Sequence, residues 1–368
     1  MTTSLRDEAP SPNASRCAEV SPGAIREPDL VKRLEPIRQA YRAVAIEAMF
    51  ASGLFDLLAD TSVSVEDAAN RLGLDEERLE ALAYYLANEG LVVVSGNLLH
   101  LTGEARGLGQ YRPWYELMIG GYLPTLAALD ETLERGSPPA PRDAAKVGRG
   151  SCGISAHDAF LMVAELMQSE PIAAPRVLDI GCGSGECLTD ICTRFPDAVG
   201  FGIEAAPDGA RAARAQVGRS GLSSRIRILE QAPADVLSSL DEPLDVAIAA
   251  FVLHEILGQE GPDGVSRLLR SLVCHGVRQV IVIEVDDRHR DAQAMQRGLA
   301  KAFWNPYFLL HPMTGQRLAT ESIWDQLFDD AGLVTVTKTR APEAIDSSGF
   351  CVGWLLTGDD NTCVVNEG

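Results

Sequence analysis

The stretch that most constrains this chain is VLDIGCGSGE, Val177 to Glu186. There an apolar strand pattern, interrupted only by Asp179, breaks into glycines at alternate positions and then into a helical pattern. Gly181, Gly183 and Gly185 let the backbone turn sharply and come close to a ligand, so the segment reads as strand, binding turn and helix. It opens a series of strand patterns near RVLDI, VGFGIE, RIRIL, DVAIAAFV and QVIVIEV with amphipathic helices between them, followed by LVTVTKT and GFCVGWLLT. Apolar strands alternating with helices imply a mostly parallel sheet covered on both faces. The last two strands are joined by a loop with no room for a crossover helix and should pair antiparallel. The expectation is one α/β domain of seven strands over residues 171–358.

Ahead of it the pattern is helical. Residues 1–30 are rich in Pro, Ser, Ala and charge with no apolar period, and 359–368 are equally uncommitted, so both ends are expected to be mobile. From about Leu34 the period becomes helical, and Val63 to Thr102 reads as helix, turn, helix and β-hairpin, a winged-helix pattern. Gly73 sits in the turn, Leu79, Leu82, Ala83 and Leu86 repeat at helical spacing, and SGN joins two short strands. We therefore expect a winged-helix-like dimerisation domain over 31–105. A helical linker and pocket region follows over 106–170, holding WYELMIGGYLPTLAALDETL and the Pro-rich GSPPAPR.

Charge narrows the partners. A formal net charge of −20 argues against extended contact with phosphate backbones, which need clustered Lys and Arg. Between Thr61 and Gly103 seven acidic residues stand against two basic ones, Arg71 and Arg78, so the winged helix is assigned to packing and dimerisation, with no nucleic-acid partner. No run approaches the roughly 20 apolar residues that cross a bilayer, and MTTSLRDEAPSPNAS lacks the basic and apolar regions of a secretory signal. The chain is expected to be cytoplasmic, with no membrane partner. Its eight cysteines form no CxxC pair, so no disulfide framework is expected.

The glycine turn departs from the dinucleotide fingerprint GxGxxG, because Glu186 stands where the last glycine belongs. Asp179 precedes the first glycine by two positions, and Glu204 ends the next strand in FGIEAAP, where an acid can accept both hydroxyls of a ribose. Asp-x-Gly-x-Gly-x-Gly with an acid at strand two resembles the class I S-adenosylmethionine-dependent methyltransferases, over about 170 to 358 and including the final antiparallel pair. The resemblance implies that the glycine turn lies against the methionine part and ribose of S-adenosyl-L-methionine, that Glu204 holds the ribose, and that Gln231 or Ala232 lies near adenine. Gln231 stands where such families often have Asp.

Strand four of that fold ends beside the transferable methyl, and here it runs into FVLHEILGQE. His254 and Glu255 therefore point at the chemistry. The two-part plan resembles the small-molecule O-methyltransferases of secondary metabolism, in which a His-Asp pair at this strand end is the general base, and a neutral imidazole can take a hydroxyl proton near pH 7. A second histidine, His311, follows the aromatic and apolar run AFWNPYFLL, expected to form a lid or pocket wall. Two imidazoles converging from separate loops suit a metal better than one proton transfer. The arrangement resembles the α-keto acid C-methyltransferases, which include phenylpyruvate, 4-methyl-2-oxopentanoate and 5-guanidino-2-oxopentanoate methylating enzymes. That resemblance implies a divalent metal or iron, zinc or iron among the choices, held by His254 and His311 and chelated by a 2-oxo acid. Its metal-stabilised enolate would take the methyl group at C3 in β-methyl amino acid or secondary-metabolite biosynthesis.

Glu255 is then the base or a supporting partner, a water being the other base. Adjacent residues diverge in direction, so Glu255 is not expected on the same ion. The substrate carboxylate suits an arginine, with Arg142 preferred over Arg149 and Arg317. Other readings stay open: a metal-free O-methyltransferase with His254 as base, and a winged-helix regulator that senses S-adenosylmethionine. Trp304, Tyr307, Phe308 and Trp324 are read as acceptor-pocket or ordinary core residues, Cys182 as a packing residue, and His100, His157, His275 and His289 as structural or exposed. A homodimer formed through the N-terminal domain, acting on a small α-keto acid, completes the expectation.

Overall fold

The computed structural model describes residues 25–231 and 243–359, and the chain divides into two compact units, 1–42 and 43–368. In the first unit the described residues form the opening turns of helix α1 (Glu27–Ala51). This helix starts inside the stretch 1–30 that was expected to be mobile. Pro28 suits a first helical turn, whose N–H groups have no intrahelical partner, and Glu27 and Asp29 set negative charge at the positive end of the helix dipole. Leu30, Val31, Leu34, Ile37 and Tyr41 are exposed. The remainder of both expected mobile ends lies outside the described residues.

The second unit begins with the predicted order of elements. Helices α2 (Leu54–Asp60), α3 (Val65–Leu72) and α4 (Glu76–Asn88) accompany strands β1 (Val63–Ser64), β2 (Val92–Ser95) and β3 (Leu98–Leu101), which pair antiparallel in the order β1-β3-β2. Ser64 caps α3 by accepting from the Asp67 N–H, and Asp75 caps α4 by accepting from that of Arg78. Their inner faces make one apolar cluster that includes Ile46, Met49, Leu54, Leu58, Leu86 and Leu99. A π-helical turn, Glu116–Gly121, and two helices, Ala144–Ser155 and Ala159–Ser169, lead to the sheet.

All seven predicted strands form: β4 (Arg176–Ile180), β5 (Val199–Ile203), β6 (Ile226–Leu229), β7 (Val246–Ala250), β8 (Gln279–Val285), β9 (Leu333–Arg340) and β10 (Cys351–Gly358). Their spatial order is β6-β5-β4-β7-β8-β10-β9; the first five are parallel, and β10 runs antiparallel between β8 and β9. The helix expected between β6 and β7 falls on 232–242, outside the described residues. Successive residues of a strand feed opposite faces: Val177, Ile281 and Ile283 join one apolar cluster, and Leu178, Val280 and Val282 the other. The chain leaves β4 toward β5 on one side and later returns to β7 on the other, so a crevice opens at the carboxyl ends of these two strands. Among the described residues no helix is long and apolar enough to cross a membrane.

Candidate active site at the carboxyl edge of the sheet

The glycine turn leaves β4 into the helix Glu186–Arg194, with φ of 69° at Gly181, 53° at Gly183 and 77° at Gly185. These left-handed values disfavour any residue with a Cβ. A Cβ on Gly181 would collide with Val252, and one on Gly183 would lie 2.8 Å from Cys152 Sγ. Beside the turn, Glu204 Oε2 accepts from the Gly183 N–H at 3.0 Å and Oε1 from the Ala206 N–H at 2.8 Å. A cleft of about 200 Å³ lies here, lined by Gly183, Ser184, Glu204, Pro207 and Gly209 on one wall and by the Ala144–Ser155 helix, through Gly148, on the other. Asp179 is buried behind it with Oδ2 unpartnered. Burial, and then the neighbouring Glu204 carboxylate, push its pKa up to about 7. Gln231 follows β6 at half burial, and Ala232 lies outside the described residues.

Across the crevice, β7 is followed by Phe251, whose φ of 55° is rare for a residue with a side chain. Helix Leu253–Cys274 starts immediately after it, and its N-cap, Val252, makes no side-chain cap. His254 is 3% exposed. Its Nδ1 lies 3.0 Å from Glu284 Oε2, and its backbone N–H donates to Glu284 Oε1 at 3.1 Å. His311 sits in the last turn of helix Asn305–Met313, 2% exposed, with its ring centroid 5.1 Å from that of His254. His311 Nδ1 is 2.7 Å from the Tyr307 carbonyl oxygen, which can only accept, so Nδ1 carries the hydrogen and Nε2 a lone pair. Burial, helped by His254, holds His311 well below the ordinary imidazole range, so it is neutral. Burial opposes the charged form of His254, but the Glu284 carboxylate and then Glu255 raise it overall.

Glu255 Oε1 accepts from Arg142 Nη2 at 2.9 Å and from Gln316 Nε2 at 2.8 Å. Burial would raise this carboxyl, but the Arg142 guanidinium, with His254 and Gln316, holds it below the usual range, so it stays ionised. Among the described residues Arg142 Nη1 is buried without a hydrogen-bond partner, and the Tyr122 hydroxyl lies beside the guanidinium. Gln316 Nε2 also lies 3.4 Å from His254 Nε2, and Gln316 Oε1 lies 3.5 Å from the Tyr122 hydroxyl.

His254, Glu255, His311 and Arg142 thus come together at one edge, and the glycine turn and Glu204 line the adjoining cleft. Arg149 turns instead to Glu116, and Arg317 is exposed. Several expectations need correction. The two imidazoles come from helices, not loops. His254 and Glu255 do not diverge, since both reach Gln316 from the first turn of one helix. The segment before His311 is helical and packed into the core, a wall and not a lid, with Tyr307 against the His311 ring at 3.8 Å. Trp324 is fully buried with Phe328 and Trp354 in the other cluster. The sequence reading missed Glu284, Gln316 and Tyr122. Glu284 had a signal, being the only charge in QVIVIEV; Gln316 and Tyr122 had none.

A relative from Streptomyces arginensis, a 2-ketoarginine methyltransferase, is 40% identical over 329 residues, covering 89% of this chain and 96% of its own length. The chain belongs to the S-adenosylmethionine-dependent methyltransferases. The family described as "Methyltransferase domain" matches residues 177–276 of this methyltransferase, from β4 through the His254 helix. An indolepyruvate C-methyltransferase of Streptomyces griseus is 28% identical over 223 residues, 60% of this methyltransferase and 66% of the relative. Among solved structures, the mitomycin 7-O-methyltransferase MmcR matches with a TM-score of 0.63 at 18% identity, covering 90% of this chain and 98% of that one, a likeness of fold.

Proposed function

We propose that this methyltransferase transfers the methyl group of S-adenosyl-L-methionine to C3 of an α-keto acid. The observation that carries the reading is the pair of buried imidazoles, each with Nδ1 engaged behind it, set beside an arginine with a buried, unpartnered Nη1. The names of the 2-ketoarginine and indolepyruvate enzymes point the same way. We assign S-adenosylmethionine to the cleft of Asp179, Gly181, Gly183, Gly185 and Glu204, with adenine toward Gln231.

The residues fit a divalent metal or iron, zinc or iron among the choices. The His254 and His311 ring centroids stand 5.1 Å apart, near enough for the two imidazoles to hold one ion between them if it were bound. Both rings have the acceptor behind Nδ1 that metal-bound histidines use. Two protein donors leave positions for the carboxylate and ketone oxygens of a 2-oxo acid. When bound, the metal supplies a Lewis acid that favours enolisation of the keto acid.

The chain's own groups do the rest. Arg142 Nη1 holds the substrate carboxylate while Nη2 stays on Glu255. Glu255, kept ionised, takes the C3 proton on Oε2 or orients the water that does. The C3 electron pair then attacks the sulfonium methyl carbon, the S–CH3 bond breaks, and S-adenosylhomocysteine leaves. The test is a panel of aromatic, branched and guanidino 2-oxo acids with labelled S-adenosylmethionine. Methylation at C3, with chelation abolishing activity and either His254→Ala or His311→Ala abolishing metal binding, is expected. Full activity after chelation and dialysis overturns the metal. The backing of His254 by Glu284 also suits a metal-free O-methyl transfer with His254 as base, which methylation of a phenolic hydroxyl would reveal.

For organisation we propose a winged-helix-like dimerisation domain at 31–105, a linker and pocket region at 106–170 and the methyltransferase domain at 171–358, in a cytoplasmic homodimer. The dimer is supported by the exposed stripe Leu30, Leu34, Ile37 and Tyr41 on α1, spaced to share one helix face.

A further inference from the structure

We infer that Glu284 and Gln316, from opposite ends of one ring, lock His254 in the tautomer with hydrogen on Nδ1 and a hydrogen-free Nε2 toward the Gln316 amide, which makes both of them positioning residues. The metal consequence rests on the reading above; the tautomer does not.

Glu284 has no exposed surface and is the one charged residue of β8, a strand interior to the sheet. A buried carboxyl group there is costly unless its oxygens are used. Both are. Oε1 accepts the backbone N–H of His254, one of the first-turn donors that helix Leu253–Cys274 leaves without an intrahelical partner and that its N-cap Val252 does not satisfy. Oε2 lies 3.0 Å from the ring Nδ1. A carboxylate on a neighbouring strand thus replaces the missing cap and, because it can only accept, requires Nδ1 to carry a hydrogen.

The second constraint is independent. Gln316 sets its amide nitrogen 2.8 Å from Glu255 Oε1, the orientation that leaves its oxygen for hydroxyl donors. Its oxygen then faces the Thr314 hydroxyl at 2.9 Å and that of Tyr122 at 3.5 Å, both able to donate. The same amide nitrogen stands 3.4 Å from His254 Nε2, so a hydrogen there would set donor against donor. Glu255 is therefore part of the device: it orients Gln316, and Gln316 keeps Nε2 bare. The lone pair faces the Gln316 amide before any ligand arrives.

Glu284→Gln discriminates. The amide nitrogen placed against Nδ1 becomes a donor and drives the ring to the Nε2–H tautomer, whereas Glu284→Asp keeps an acceptor and restores the original one. The measurement is long-range proton–nitrogen correlation on histidine-labelled, metal-free enzyme at pH 9, with the His254 signal assigned by its loss in His254→Gln. Wild type should show a protonated Nδ1 and a bare Nε2; the reverse pattern overturns the inference without any variant. In Glu284→Gln the pattern should invert, and zinc affinity, measured by chelator competition, should fall about 10- to 100-fold, with S-adenosylhomocysteine binding unchanged as a check of the fold. Unchanged tautomer and unchanged zinc affinity in a folded Glu284→Gln protein sink the proposal while leaving the metal reading intact. Wild type that shows the stated tautomer but binds no metal sinks the metal reading and leaves this one standing.

Discussion

Asp179 and Glu204 close β4 and β5 beside each other, yet their surroundings differ. Glu204 spends both oxygens on backbone N–H groups, while Asp179 keeps a buried oxygen without a partner. A folded-state pKa of about 7 lies well above that of an unfolded aspartate, so between about pH 4 and 7 the folded protein holds the extra proton. The stability this contributes is present below that window and is lost as pH rises through it. Asp179→Asn, which stays neutral, should therefore gain on wild type as pH rises from 4 to 7, by at most about 4 kcal/mol, in denaturant titrations of the cofactor-free protein. An equal gap at both pH values would show that Asp179 is not protonated in the fold. The sequence marked Asp179 and Glu204 through their distance from the glycines. It did not separate their electrostatics, which depend on which N–H groups the turn presents.

At the scale of elements, the turn between β4 and its helix is the part most readable in advance, because three alternate glycines after an apolar strand leave few other conformations. Gly183→Ala should weaken S-adenosylhomocysteine binding roughly tenfold by calorimetry, since a left-handed alanine costs about 1–2 kcal/mol and its Cβ would press on Cys152 Sγ at 2.8 Å. Unaltered affinity would mean that the cofactor does not use this turn. The His254 helix was harder to read. Its residues announced a strand end and a polar pair, but its cap comes from Glu284, 30 positions away on the next strand. The aromatic run before His311 was read as a lid or pocket wall; the core took it, with Trp304 Nε1 donating to buried Asp346 at 2.8 Å.

At the scale of the whole molecule, helix α1 presents Leu30, Leu34, Ile37 and Tyr41 to solvent, an apolar stripe that a second copy of this chain would cover. Light scattering should give twice the 39.5 kDa chain mass for wild type and the single mass for the Leu34→Glu, Ile37→Glu double variant; a monomeric wild type removes the homodimer. The α/β class, the seven strands, the antiparallel final pair and the glycine turn were all legible in the chain, because strand and helix periodicity and glycine geometry are local properties. Which side chains meet His254 was not. Glu284 and Gln316 lie on separate segments, and only the order β4-β7-β8, with the returning helix of His311 laid over the same edge, carries them to one imidazole, with Tyr122 behind Gln316. Hydrogen-bond partners over such separations are chosen by packing, and packing is what no window of the sequence contains.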